Sequence, residues 1–98
     1  MKYSKLHPPT EVYATKGDDT GEINLQWDSV NGASKYIIQK SPKNSKKCWK
    51  YVDIVTESCC TVTGLKPSRK YAFRVAAING NGQSGWSKEI EKKSDIKY

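Results

Sequence analysis

Ninety-eight residues bound the chain to one domain of modest core. With 36% hydrophobic residues, a mean hydropathy of −0.78 and no apolar run of membrane-spanning length, insertion of these residues in a membrane as a helix is not expected. Three Trp, six Tyr and regular apolar alternation argue against disorder, and the formal charge is +7.

The charge is unevenly spread. Six lysines (Lys35, Lys40, Lys43, Lys46, Lys47, Lys50) and no acid fall within residues 35–50. Residues 11–28 carry five acids (Glu11, Asp18, Asp19, Glu22, Asp28) against Lys16 alone. One region thus favours anionic partners, unless it is simply a solvated lysine-rich loop.

In chain order, residues 1–7 read as a lead-in, without the apolar core of a signal segment. Pro8 and Pro9 cannot donate to a ladder and suit an edge. Val12 and Ala14 alternate in a short first strand, and Lys16 to Gly21 is turn chemistry. Ile23, Leu25 and Trp27 alternate with polar neighbours in a second. Tyr36 and Ile38 face one side of a third, Ile37 and Gln39 the other; Ser41 to Ser45 reads as a loop. Cys48 to Ile54 forms the fourth, with Trp49 and Val52 as its expected anchors.

Cys60 and Val62 point inward in the fifth, leaving Cys59 outward. Val62 to Asn79 contains a tight corner and then a sixth strand. Leu65 and Tyr71 suit a tyrosine corner, the ring tucked under the turn and its hydroxyl returned to backbone. Tyr71, Phe73, Val75 and Ala77 face inward, and Ala72, Arg74, Ala76 and Ile78 outward. Asn79-Gly80-Asn81-Gly82 is hairpin-turn sequence. Trp86 to Ile90 reads as the seventh strand and residues 92–98 as a polar tail. Seven short strands at this spacing, without helical periodicity, predict an all-β, seven-stranded Greek-key sandwich over residues 8–91.

These residues resemble the fibronectin type III domain over about residues 8–91. The features that carry the resemblance are Pro8-Pro9, Trp27, Tyr36, Trp49, Leu65 with Tyr71, and Asn79-x-x-Gly82-x-Ser84. It implies two sheets, one of the first, second and fifth strands and the other of the remaining four, with Trp27 at the centre. No Cys lies on the sixth strand for the inter-sheet bridge of antibody domains, which favours the fibronectin over the immunoglobulin type. The Arg-Gly-Asp of integrin-binding members is missing from Gly80 to Gly85. Gln83-Ser84-Gly85-Trp86-Ser87 is similar to the Trp-Ser-x-Trp-Ser motif of cytokine receptors, with the first Trp lost. Trp86 is expected to stack on Arg74 as a structural clasp.

Chemistry for catalysis is not visible. His7 is the single His, no phosphate-binding loop precedes a helix, and no metal-ligand spacing occurs, so neither an enzyme nor a cofactor is expected. Cys48, Cys59 and Cys60 are an odd set; a bridge, if formed, would join Cys48 and Cys60 rather than the adjacent pair.

The expected role is a non-catalytic interaction or spacer module of a larger protein, with cell adhesion as one use. Its contact face would hold Ile37, Arg74, Ile78 and Trp86. The alternative is binding of an acidic polysaccharide or heparin-like chain by Lys40, Lys43, Lys46, Lys47 and Lys50 with Trp49. Nucleic acid is disfavoured, because no recognition helix is evident. Family habit favours an extracellular or cell-surface setting over a cytoplasmic one. The chain is expected as a monomer, with a Cys59-linked dimer as the variant state.

Overall fold

The computed structural model describes residues 6–42 and 48–96. Lys43, Lys46 and Lys47 of the lysine cluster lie outside the described residues. The described residues form eight strands: β1 (Tyr13–Lys16), β2 (Ile23–Gln26), β3 (Lys35–Pro42), β4 (Lys50–Val55), β5 (Cys59–Val62), β6 (Lys70–Asn79), β7 (Gly82–Gln83) and β8 (Ile90–Lys93). They form two antiparallel layers, β1-β2-β5 and β4-β3-β6, with β7 and β8 both paired to β6. This is the sandwich that the alternation predicts.

The core follows from period two. Ile23 and Leu25 of β2, Ile38 of β3, Val62 of β5, and Phe73 and Val75 of β6 are at most 1% exposed. Each such side chain contributes about 1.5–3 kcal/mol when removed from water. Trp27 and Tyr36 meet edge to face, centroids 5.4 Å apart, between the layers. The Tyr36 hydroxyl accepts from the Val30 amide at 2.8 Å. The Tyr71 hydroxyl accepts from the Lys66 amide at 2.9 Å, closing the corner beside buried Leu65. A bond of that kind is worth only about 0.5–1.5 kcal/mol net. The corner therefore sets the direction of β6, while the apolar layers supply the stability.

Gly21 joins the β1–β2 turn to the same corner. Its φ is +78°, and a Cβ there would stand 2.6 Å from the Leu65 carbonyl oxygen. The Leu65 amide in turn donates to the Gly21 carbonyl at 3.0 Å. Any side chain at this position would break that approach.

Several elements depart from the alternation. The first strand begins at Tyr13 instead of Val12, and Trp27 lies just past β2. Ser41 and Pro42 continue β3 opposite Ala72 and Tyr71, where loop chemistry was expected. Cys48 and Trp49 precede β4, and Trp49 lies over Arg74 rather than anchoring the core; Val52 does pack against it. Ala72 and Ala76, outward by parity, are fully buried. They flank Arg74 on one face, where small side chains leave room for bulky neighbours. Residues 84–89 are not a strand; the last strand starts at Ile90 and reaches Lys93, and Ser94 is buried. Of the four turn residues from Asn79, Gly82 alone takes a positive φ.

All three cysteines are free thiols, and no Cys48–Cys60 bridge forms. Cys60 is 9% exposed and Cys59 is exposed, as their alternation requires. Burial, assisted by Asp53 and Cys59, raises the Cys60 thiol from 9.0 to about 11. The unfolded chain therefore ionises this thiol first, and the folded state loses stability as pH rises from 9.0 toward about 11. Chemical denaturation in that window should show a loss of up to about 2 kcal/mol, less than full burial would give because the group borders a cleft. Cys60→Ala should flatten that part of the slope; an identical pH dependence in the variant would contradict the assignment.

Candidate functional site

The outer face of the five-stranded sheet is built in rows by the register. Tyr51 of β4 lies opposite Gln39 of β3, and Gln39 opposite Arg74 of β6. The next row runs Ile54, Ile37, Ala76. The third runs Lys35, Ile78, Gln83. Tyr51 and Ile54 are 58% and 44% exposed, whereas Ile37 and Ile78 are half-buried.

Arg74 organises the first row. Its Nε and Nη2 both donate to Gln39 Oε1, at 2.9 and 2.7 Å. Its guanidinium carbon lies 4.2 Å from the centroid of Trp49 and 4.3 Å from that of Trp86. Sequence pattern anticipates the Trp86 contact; the Trp49 contact is additional. A planar cation between two indoles gains attraction from both ring faces, about 0.5–1 kcal/mol each where exposed and more where water is excluded. Partial burial lowers the Arg74 pKa, and the charge of Glu89 acts in the opposite sense.

Trp86 is placed by two serines, not by a strand ladder. The Ser84 amide donates to the Ala77 carbonyl at 2.8 Å, while Ser84 Oγ accepts from the Ala77 amide at 2.8 Å. The Ser87 amide donates to the Val75 carbonyl at 2.8 Å, while Ser87 Oγ accepts from the Val75 amide at 3.0 Å. Each serine thus satisfies both backbone groups of a β6 residue, which a partner strand would otherwise do. Both serines are buried, and Trp86 between them is turned over Arg74.

The lysine cluster is only partly visible. Lys40, two residues before the end of β3, lies opposite Lys50 at the start of β4. Like charges so placed repel. They bring two of the five sequence-predicted lysines together in register with Phe73, whereas Trp49 lies over Arg74, which is in register with Gln39 on the other face.

Elsewhere, a groove of about 750 Å³ lies between the lead-in and residues 86–88, lined by His7, Pro8, Pro9, Glu11, Trp86 and Lys88. Among the described residues no group of three His, Cys, Asp or Glu side chains is placed to hold a metal ion. Sequence reasoning missed Tyr51, Ile54 and Gln39. The signal for Tyr51 and Ile54 was blurred by the register shift at Ile38/Gln39, which takes β4 out of step with simple alternation.

Comparison with known proteins agrees with this geometry. The family model described as "Fibronectin type III domain" matches residues 7–93. Receptor-type tyrosine-protein phosphatase F of Danio rerio is 36% identical over 89 residues, which cover 89% of this chain and 5% of that protein. Tail tube protein gp17.1* of Bacillus phage SPP1 is 31% identical over 74 residues, covering 74% of this chain and 26% of that protein. The chain therefore spans a small part of the length of these relatives. The crystal structure of FN3tt superposes with a TM-score of 0.84 at 22% identity, covering 95% of this chain and 98% of that one. With the two-layer topology, the tyrosine corner and a family match across residues 7–93, the chain belongs to the fibronectin type III family.

Proposed function

We propose that this module makes a protein contact through the outer face of its five-stranded sheet while spacing neighbouring domains of a larger protein. The module itself is non-catalytic. The observation that carries the reading is the Trp49–Arg74–Trp86 stack beside exposed Tyr51 and Ile54. Aromatic and Arg side chains fixed before contact lose little freedom on binding, and they are the commonest anchors of protein interfaces. Ile37 and Ile78 continue the apolar ground of the same face. The spacer role is supported by the small share of each relative that the module occupies. Display at a cell surface or outside the cell is supported by the receptor-type relative.

A second reading, binding of an acidic polysaccharide, draws support from Lys40 paired with Lys50 across β3 and β4. Lys43, Lys46 and Lys47 are close to them in the sequence.

The two readings separate experimentally. In the parent protein, a photo-reactive residue at Tyr51 or Ile54 should crosslink to a partner or neighbouring domain, and one at Thr15 on the other layer should not. Ile54→Lys with Arg74→Ala should reduce crosslinking from Tyr51 several-fold with the fold retained. Equal yields from both layers, or no reduction, would contradict the contact face. For the second reading, heparin resin should retain the chain to higher salt than neutral resin, and the triple variant Lys43→Ala, Lys46→Ala, Lys47→Ala should elute earlier. Elution of the unsubstituted chain from both resins together contradicts polysaccharide binding.

A further inference from the structure

We infer that the free edge of β5 pairs with the β5 edge of a second copy of this chain, extending the three-stranded sheet across a two-fold axis. The polarity of the edge follows from one bond. The Trp27 amide donates to the Ser58 carbonyl at 3.1 Å. Antiparallel pairing alternates, so the opposed pairs Leu25–Cys60 and Ile23–Val62 exchange bonds as well. Cys59 and Thr61 then aim their N–H and C=O groups away from β2. The other side of β2 gives the same phase: the Gly17 amide donates to Glu22, which assigns Asn24 and Gln26 to β1.

The remaining edges are blunted. β1 carries Lys16, 3.8 Å from Asp95, and the Gly21 amide beside it donates to the Asp95 carbonyl. β4 carries Lys50 and Asp53 and a register shift. Beyond β6 the chain offers a two-residue strand, an irregular stretch and then Lys92 and Lys93. Such devices prevent edge-to-edge pairing. β5, four residues long like β1, carries no charge, proline or register shift of its own. From Ser58 to Leu65 the chain holds no charge and no proline. A cleft of about 440 Å³ borders β5, lined by Asn24, Leu25 and Gln26 of β2 and by Asp53 and Val55 of β4 as well as by Cys59, Cys60 and Thr61.

A second copy is the occupant this edge fits. On a chain of net charge +7, two copies repel wherever lysines meet. At β5 no lysine of the strand faces its copy. One register uses every outward group within the strand: Cys59 opposite Thr61 of the other copy, and Thr61 opposite its Cys59, about an axis through Cys60. It forms two doubly bonded pairs. In that register the two Cys59 side chains are diagonal neighbours, roughly 7–8 Å apart, too far for a disulfide. The pairing is therefore distinct from a Cys59-linked dimer; the two Cys60 residues stand directly opposite across the axis, about 4.5 Å between Cα atoms and within disulfide reach, so the backbone pairing itself is tested in reductant. It also lies on the opposite layer from the proposed contact face, so failure of either leaves the other standing.

Sedimentation equilibrium in reductant, from micromolar to millimolar chain, tests the inference. The apparent mass should rise toward about twice the monomer, and the Cys59 and Thr61 amides should gain protection from hydrogen exchange as it does. Thr61→Val should behave like the unsubstituted chain. Thr61→Pro, which removes an outward N–H not used by β2, should stay monomeric. Thr61→Lys sets lysines side by side at the seam, and it decides the question if the proline variant fails to fold. A mass that stays monomeric at every concentration would overturn the inference. So would association that reductant abolishes, or a folded lysine variant that associates undiminished.

Discussion

The backbone of β6 must be satisfied on both sides, and on one of them no regular strand is available between Gln83 and Ile90. Ser84 and Ser87 meet that requirement with their own amides and hydroxyls. A buried amide left without a partner costs about 1–3 kcal/mol, so these serines are structural in the strict sense. Their spacing also decides what lies between them. Trp86 is carried to the outer face and seated on Arg74. The guanidinium, caught by Gln39 and by two indoles, becomes a fixed element of the surface instead of a mobile side chain.

Inner and outer layers of the same strand therefore serve different ends. Phe73 and Val75 hold the sandwich by burial, and Tyr71 aims the strand by its corner. Trp27 fills the space between layers but leaves its Nε1 buried without a partner among the described residues. That is a loss the surrounding apolar burial outweighs. Arg74, one position from Phe73, contributes little to this core and most to the face. Substitution there changes the surface while leaving the layers packed, which is the arrangement a reusable module requires.

Much of the fold is legible in the sequence because period two is local. Ile23-Leu25-Trp27, Tyr36-Ile38 and Tyr71-Phe73-Val75-Ala77 each state their own buried side, and the structure places all of them inside. The region after the hairpin is not legible in this way. Trp86 to Ile90 is expected as a strand, yet the partners of β6 there are side-chain hydroxyls, which the residue pattern does not encode. Tyr51 and Ile54 escape for a related reason. A register shift moves them relative to β3, and only the paired strand reveals which of their neighbours lie on the outer face. The outward groups of Cys59 and Thr61 depend on the phase of hydrogen bonding, a property of the pair and not of either strand alone.

The serine bonds to β6 hold the Arg74 stack in place. Nuclear magnetic resonance of the Arg74 Nε–H group tests it directly, by comparing the unsubstituted chain with a Ser84→Ala, Ser87→Ala double variant that still folds. The former should give a rigid, ring-current-shifted signal, and the latter an averaged, exchange-broadened one while the core resonances of Phe73 persist. An Arg74 signal equally rigid and equally shifted in both chains would contradict it.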